Sequence, residues 1–320
     1  MAGHEVLSEI IPVVPDPGNA GGGRIEIIYK TLSSHGRRVF VFGVTSKLRG
    51  DLKMKITAAE IYRSVEDIRA KSPLIHNITN YVVMNNTANA LLALGASPVM
   101  IHAEEEVADM AAMASALVIN VGTISEPWAR GMFKAFTAAW EKGVPAVIDP
   151  VGAGATPYRT LKIRELINVA EPMIIRGNAS EIMALTDDSL QTKGVDSTAV
   201  SGEALQTARF ISNERNCTVC ISGEVDYIVQ GDRMVKIANG HPMMTKVTGL
   251  GCTATALCGA FAAVEKDGLA AAAKAMAVMG IAGEMAAEKS SGPGSLQMHF
   301  LDILYNLSEK DIHLRLKVEE

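Results

Sequence analysis

The sequence has little of what a membrane protein, a disulfide-rich secreted protein or a nucleic-acid-binding protein requires. It holds only four cysteines in 320 residues, and 5% of its residues are aromatic. Its formal net charge is -5, and no long run of lysine or arginine offers a basic surface to nucleic acid. No stretch approaches the roughly 20 apolar residues that cross a bilayer, and no signal peptide is recognisable. We therefore expect a cytoplasmic globular protein that binds neither nucleic acid nor membrane.

Two of the cysteines, Cys217 and Cys220, form a Cys-x-x-Cys pair that is typical of metal or redox sites. Their neighbours are apolar and β-branched, and no second Cys or His pair follows at the spacing of zinc ligands. The pattern favours two buried residues of a strand.

Residues 1–53 differ from the rest of the chain. Prolines and glycines interrupt this segment, and its one apolar run, residues 38–44, is too short to bury its own face. A helical pattern starts just after Met54. We predict an N-terminal extension over residues 1–53, poorly ordered or non-native, and one folded domain over residues 54–320.

Strand and helix patterns alternate along the folded domain, which predicts a three-layer α/β fold with a mainly parallel sheet flanked by helices. A helix over residues 82–94 ends at Gly95, and alanine-rich helices fill the stretch from Gly251 to about Glu288. The predicted strands cover residues 98–101, 117–121, 146–148, 173–175 and 218–221, with a hairpin over residues 227–237.

A glycine-rich turn, Thr248-Gly-Leu-Gly-Cys252, precedes the first alanine-rich helix. Gly249 and Gly251 let backbone N–H groups converge where the helix dipole also favours negative charge, so a phosphoryl group in transfer could be stabilised there. An ordinary tight turn explains the glycines as well. Cys252 lies on the first helical turn, where the dipole should lower its thiol pKa and make it a base. The alternative is a small packing residue.

Charged residues follow two of the predicted strands. Asp149 ends one strand and Arg176 ends the next, with Glu181 close behind. Ligands collect at the carboxyl ends of parallel strands, and a magnesium nucleotide requires oxygen ligands and a fixed cation. Asn178 and Glu181 also match a helix capping box, which is a purely structural explanation.

Amide side chains are frequent in and after His76-Asn-Ile-Thr-Asn80. An amide at a strand end can hydrogen-bond a neutral heterocycle or a hydroxyl group. Turns and helix caps use asparagine equally well.

Taken together, the chain from Ser72 to Gly294 resembles the hydroxyethylthiazole kinases of thiamine biosynthesis. The resemblance rests on separated motifs in one order. They are Ser72-Pro-Leu-Ile-His-Asn-Ile-Thr-Asn80, Ala90-Leu-Leu-Ala-Leu-Gly-Ala-Ser-Pro-Val-Met100, Asn120-Val-Gly-Thr123, Asp149-Pro-Val-Gly-Ala-Gly-Ala-Thr156, Ile175-Arg-Gly-Asn-Ala-Ser-Glu181, Ser222-Gly-Glu-Val-Asp226 and Thr245-Lys-Val-Thr-Gly-Leu-Gly-Cys252.

The resemblance implies a ribokinase-like kinase domain that uses ATP and Mg²⁺ and forms a homotrimer, with the thiazole near a subunit boundary. It also implies a role for each matching residue. The implied roles are thiazole binding for Met100, Gly249 and Asn80, ATP binding for Arg176 and Ser222, metal binding for Asp149 and Glu181, and catalysis for Cys252, Gly249 and Gly251. Cys252 stands where related kinases use an aspartate base. Leu250 departs from the pattern, which more often has a small residue or threonine.

The resulting hypothesis is transfer of the ATP γ-phosphoryl group to the hydroxyethyl oxygen of 4-methyl-5-(2-hydroxyethyl)thiazole, in thiamine salvage. One alternative is a hydrolase with Cys252 as nucleophile and His76 or His241 as base. Another is a catalytically silent regulator that binds nucleotide or thiazole.

Overall fold

The computed structural model describes residues 56–186 and 202–320, together with the short strands β1 (Ile27–Ile28) and β2 (Gly43–Val44). The chain divides into two compact units, Met1–Met54 and Lys55–Glu320. In the first unit, β1 and β2 pair antiparallel, with Ile27 opposite Val44. The rest of the predicted N-terminal extension lies outside the described residues.

Helices and strands alternate along the second unit. In chain order they are α1 (Ala58–Lys71), β3 (Leu74–Ile78), α2 (Met84–Leu94), β4 (Ser97–Val99), α3 (Val107–Met113), β5 (Ala116–Asn120), α4 (Glu126–Glu141), β6 (Ala146–Asp149), α5 (Pro157–Ile167), β7 (Ile174–Asn178), α6 (Ala179–Met183), α7 (Gly202–Arg215), β8 (Thr218–Ser222), β9 (Asp226–Gln230), β10 (Arg233–Ile237), α8 (Leu250–Ala262), α9 (Gly268–Glu288), α10 (Pro293–Asn306), α11 (Glu309–Arg315) and β11 (Val318–Glu319). A 3₁₀ turn, Pro242–Lys246, precedes α8.

Nine of the described strands form one sheet in the order β11-β10-β9-β8-β7-β6-β5-β3-β4. The pairs from β4 across to β8 are parallel, and those from β8 to β11 are antiparallel. The predicted hairpin is β9–β10, which turns at Gly231 with φ +57°. The parallel strands therefore bring their carboxyl ends to one edge of the sheet.

Helices cover both faces of the sheet, and the alternation of side chains along β5 shows how. Leu117 and Ile119 join a buried cluster with Phe136 of α4. On the opposite face, a Cβ on Gly259 of α8 would lie 2.4 Å from Val118, so only glycine permits this close approach. The three-layer α/β prediction is confirmed, and Cys217 and Cys220 are free and buried, as predicted.

Helix α9 corrects one expectation. At 21 residues it is long and apolar enough to cross a membrane by length and composition, which the sequence analysis did not anticipate. However, 89% of its apolar window is buried inside the fold. It packs against α8, α10 and the sheet, so α9 is a core helix.

Candidate active site

The carboxyl edge of the parallel strands gathers most of the predicted site residues. Asp149 ends β6, Ser222 ends β8, and Asn80 follows β3 by two residues. Arg176 lies within β7, and the glycine-rich turn leads into α8 beside these strands. Hydrogen bonds then join these residues to one another.

Arg176 links the start of α8 to β8. Its Nη1 donates to the backbone oxygen of Gly251 at 3.0 Å, and its Nη2 donates to Ser222 Oγ at 2.6 Å. Although burial disfavours its charge, the negative charges of Asp149 and other acidic groups leave its pKa raised. The guanidinium is therefore a fixed, buried cation at the edge of the sheet.

Gly249 occupies a conformation and a space that only glycine accommodates. It precedes α8 with φ +82°, and a Cβ there would lie 2.5 Å from Val83 Cγ1. Within the described part of the chain no side chain caps α8, so the N–H groups of its first turn remain available to a ligand. Leu250 is buried.

Asp149 is the buried carboxylate of the site, with 1% of its surface exposed. Its Oδ2 accepts hydrogen bonds from Asn120 Nδ2 and Thr255 Oγ1, each at 2.8 Å. Burial raises the pKa of Asp149 to about 7, while Arg176 opposes the rise and the charge of Glu181 adds to it. Both described side-chain hydrogen bonds to this carboxylate end on Oδ2, and neither involves Oδ1.

Cys252 lies beside the amide of Asn80, whose Nδ2 is 3.5 Å from Sγ. Burial, followed by the nearby charge of Asp149, raises the pKa of the Cys252 thiol. The expectation that the helix dipole lowers this pKa is therefore wrong. The dipole acts at the helix end, but removal of the sulfur from water and a neighbouring carboxylate outweigh it.

Glu181 forms the predicted capping box with Asn178 and also accepts a hydrogen bond from the loop after β6. Its Oε2 accepts from the backbone N–H of Asn178 and its Oε1 from that of Gly152, both at 2.8 Å. Its oxygens keep further lone pairs. No group of three or more His, Cys, Asp or Glu side chains that could hold a metal occurs within the described ranges.

Met100 follows β4 near the edge of the sheet and is half-buried. Its backbone oxygen lies 3.3 Å from Nδ1 of His102. The described hydrogen bonds do not connect its side chain to Asp149 or Cys252.

The histidines of the hydrolase alternative are engaged elsewhere. Nε2 of the fully buried His76 lies 2.8 Å from the backbone oxygen of Ile101. His241 accepts at Nδ1 from the N–H of Met243. Neither histidine shares a described hydrogen bond with Cys252, so the geometry gives the hydrolase no base.

Asn120 and Asp226 belong to the motifs of the sequence but were given no role, and Thr255 was not predicted as a site residue; all three are buried. Asn120 had a readable signal, since it ends β5 as Asp149 ends β6. Thr255 had no such signal, because it lies within an apolar helix. Asp226 accepts from the N–H of Gly223, and burial raises its pKa to about 7.

Comparison with known proteins identifies close relatives. A sequence model described as the hydroxyethylthiazole kinase family matches residues 65–310. A hydroxyethylthiazole kinase of Syntrophus aciditrophicus is 59% identical, covering 83% of this chain and 98% of that protein. One from Leptospira biflexa is 56% identical, covering 80% of this chain and 96% of that protein.

Solved structures agree. A hydroxyethylthiazole kinase protein from Pyrococcus horikoshii OT3 matches with a TM-score of 0.75 and 44% identity, covering 82% of this chain and 98% of that chain. A ribokinase-like superfamily protein from Enterococcus faecalis, 11% identical with a TM-score of 0.55 over 82% of this chain and 92% of that chain, shares the fold alone. The predicted resemblance and the ribokinase-like fold are confirmed. The chain belongs to the hydroxyethylthiazole kinase family.

Proposed function

We propose that the carboxyl edge of the sheet is where this chain performs its family's reaction, the ATP-dependent phosphorylation of the hydroxyethyl alcohol of 4-methyl-5-(2-hydroxyethyl)thiazole in thiamine salvage. Family membership supports a phosphotransferase that acts on an alcohol. The observation that carries the location is the contact between Arg176 and the start of α8. This contact places the buried guanidinium of Arg176 beside the backbone N–H groups at the start of α8. A cation beside backbone N–H donors is a combination suited to phosphate.

ATP binds through its phosphates to the cation and to the helix start. Arg176 and the hydroxyl of Ser222 hold the phosphates, and their 2.6 Å hydrogen bond orients both groups. The N–H groups around Gly249 and Gly251 surround the γ-phosphoryl group during transfer. Phosphoryl transfer has a loose transition state, so positioning and charge stabilisation supply most of the catalysis.

Asp149 and Glu181 fit a Mg²⁺ ion that is bound together with the nucleotide. Oδ1 of Asp149 accepts neither of the side-chain hydrogen bonds to that carboxylate, and Glu181 lies close enough for its charge to raise the pKa of Asp149. Magnesium commonly uses one or two carboxylates, water and substrate phosphates, so a third protein ligand is not required. When bound, the metal offsets negative charge on the phosphates.

The acceptor alcohol binds on the other side of α8, among Asn80, Cys252 and Gly249, with Met100 contributing from the end of β4. The Asn80 amide fixes the sulfur of Cys252, which lies where the hydroxyl proton must leave. Since the thiol pKa is raised, little of Cys252 is in the basic thiolate form at neutral pH. Its contribution to the rate therefore falls at the low end of general-base catalysis, about 10²-fold.

The active assembly is a homotrimer in the cytoplasm. Next to Asn80, Tyr81 is 63% exposed and Val82 is 61% exposed. A second copy of the chain could cover these side chains and complete the thiazole site. The four cysteines are free, which suits a reducing compartment. Sedimentation of the full chain beside a version that starts at Met54 tests the trimer, and a monomer in both would refute it.

An ADP-release assay tests the function. Hydroxyethylthiazole should be phosphorylated with kcat/KM far above that for a hydroxymethylpyrimidine, pyridoxal or ribose. Arg176→Ala should abolish turnover without unfolding the protein. A covalent adduct on Cys252 without nucleotide would support the hydrolase instead. Tight ligand binding with no ADP release would support the silent regulator.

A further inference from the structure

Two buried donors hold the same oxygen of Asp149. Asn120 Nδ2 and Thr255 Oγ1 each lie 2.8 Å from Oδ2. The donors come from different layers, since Asn120 ends β5 and Thr255 lies on the second turn of α8. Asn120 is 1% exposed and Thr255 is fully buried, so water does not compete for these bonds. Two bonds from two elements prevent the carboxylate from rotating.

The amide of Asn120 is itself held in one orientation. Its Oδ1 accepts from the N–H of Gly122 at 2.9 Å and from Asn80 Nδ2 at 2.8 Å. The NH₂ group must therefore face Asp149, because a flipped amide would set donors against donors. The same Asn80 amide reaches Cys252, so Asn120 couples the acceptor side of the site to Asp149.

Thr255 makes the corresponding connection to the phosphate side. Its hydroxyl lies 3.4 Å from the backbone oxygen of Gly251, which also accepts from Arg176. Asp149 is consequently held at a fixed distance from the start of α8. A shift of either element would break a short hydrogen bond between buried groups.

We propose that Asn120 and Thr255 are positioning residues for phosphoryl transfer: by occupying Oδ2 of Asp149, they present Oδ1 to the divalent cation of the metal-nucleotide. The inference rests on the proposed function and adds to it the residues that set metal affinity. Groups that orient a metal ligand typically change metal affinity about 10- to 100-fold when they are removed.

The main test replaces the hydroxyl of Thr255 while keeping its shape. Thr255→Val removes the donor and Thr255→Ser keeps it. Thr87→Val is the matched control, because Thr87 is also a buried helical threonine, 1% exposed, whose hydroxyl has no hydrogen-bond partner among the described residues. The probe is Mn²⁺, titrated by electron paramagnetic resonance in the presence of saturating ADP and absence of acceptor. ADP binding in EDTA is measured separately by calorimetry.

We expect Thr255→Val to weaken Mn²⁺ binding about 10-fold or more and to leave ADP affinity in EDTA unchanged. Thr255→Ser should restore most of the metal affinity, and Thr87→Val should bind Mn²⁺ like the wild type. Turnover of Thr255→Val should need correspondingly more Mg²⁺, with KM for the thiazole unchanged. A purely structural loss would lower all of these affinities together.

Two results would overturn the inference. A folded Thr255→Val protein that binds Mn²⁺ as tightly as the wild type would overturn only the positioning role and leave the proposed kinase function intact. A wild-type protein that neither binds ADP nor releases it from ATP would overturn the proposed function and the inference together. If Thr255→Val does not fold by circular dichroism, Asn120→Ala removes the other donor and is judged by the same two affinities.

Discussion

Gly249 gives the sharpest test of the backbone donors at the start of α8. Its φ of +82° costs other residues about 1 to 2 kcal/mol. Its ideal Cβ would also lie 2.5 Å from Cγ1 and 3.2 Å from Cβ of Val83. Val83 is 2% exposed and cannot swing into solvent, so in Gly249→Ala the turn itself must move.

Movement of this turn displaces the amides that, in the proposed function, surround the transferred phosphoryl group. Loss of a single donor from such a site lowers kcat about 10²- to 10³-fold. We therefore expect kcat of Gly249→Ala to fall at least about 10²-fold in the ADP-release assay. KM for ATP should change less, because Arg176 and Ser222 remain to hold the nucleotide.

A matched control separates this effect from backbone strain. Gly143 also has a positive φ, +70°, but a Cβ there would meet no atom of the described residues within 4 Å. Gly143→Ala should lose about 1 to 2 kcal/mol of stability and keep its kcat. Adding Val83→Ala to Gly249→Ala should recover part of the turnover. The second change relieves the steric contact with Val83 but not the backbone strain of the positive φ at position 249. Wild-type kcat in folded Gly249→Ala would refute the role of these amides.

Three further outcomes concern titration and charge. Because the pKa of the Cys252 thiol is raised, kcat of the wild type should rise with pH above neutrality. Cys252→Asp should move that rise to lower pH. Superimposable pH profiles of the two proteins would exclude a base at this position. Arg176→Lys should raise KM for ATP about 10-fold, since a lysine cannot bridge Ser222 and Gly251 together, and an unchanged KM would contradict this. Burial raises the pKa of Asp226 to about 7, so its carboxyl favours folding at low pH and loses that contribution as pH rises through 7. The free energy of urea unfolding of Asp226→Asn, relative to that of the wild type, should therefore increase by about 2 to 3 kcal/mol between pH 5 and pH 8. A difference between the two proteins that stays constant over this pH range would refute this.

Local patterns were sufficient to predict most strands of the sheet and the edge where the candidate site lies, but β3 and β11 were not among the predicted strands. Gly95 ends α2 with φ +109°, and Gly231 turns the hairpin, as their positions after periodic runs suggested. Asp149 and Arg176 both follow buried apolar runs, and parallel strands bring such positions to one edge. These features depend on neighbours in sequence or on the general rule for parallel strands.

The pairings within the site depend on contacts between distant segments, and these could not be predicted. Thr255 and Asp149 are 106 residues apart and share a hydrogen bond only because α8 packs across β6. The raised pKa of Cys252 has the same origin, since the sequence places Cys252 on a helix turn but gives neither its burial nor its nearness to Asp149. The order of the sheet, in which β3 lies between β5 and β4, is likewise absent from any local pattern.

In the proposed function, the two opposite charges of the candidate site serve different ligands, since Arg176 binds the phosphates and Asp149 binds the metal. The described hydrogen bonds of Arg176 go to Gly251 and Ser222, and those of Asp149 come from Asn120 and Thr255. A direct ion pair between Arg176 and Asp149 would neutralise the two groups that, in the proposed function, bind phosphate and metal. Neutral donors instead keep the carboxylate in place without cancelling its charge, at the cost that burial raises its pKa to about 7. Under the proposed function, binding of a cation beside Asp149 and an anion beside Arg176 would therefore compensate both buried charges at once.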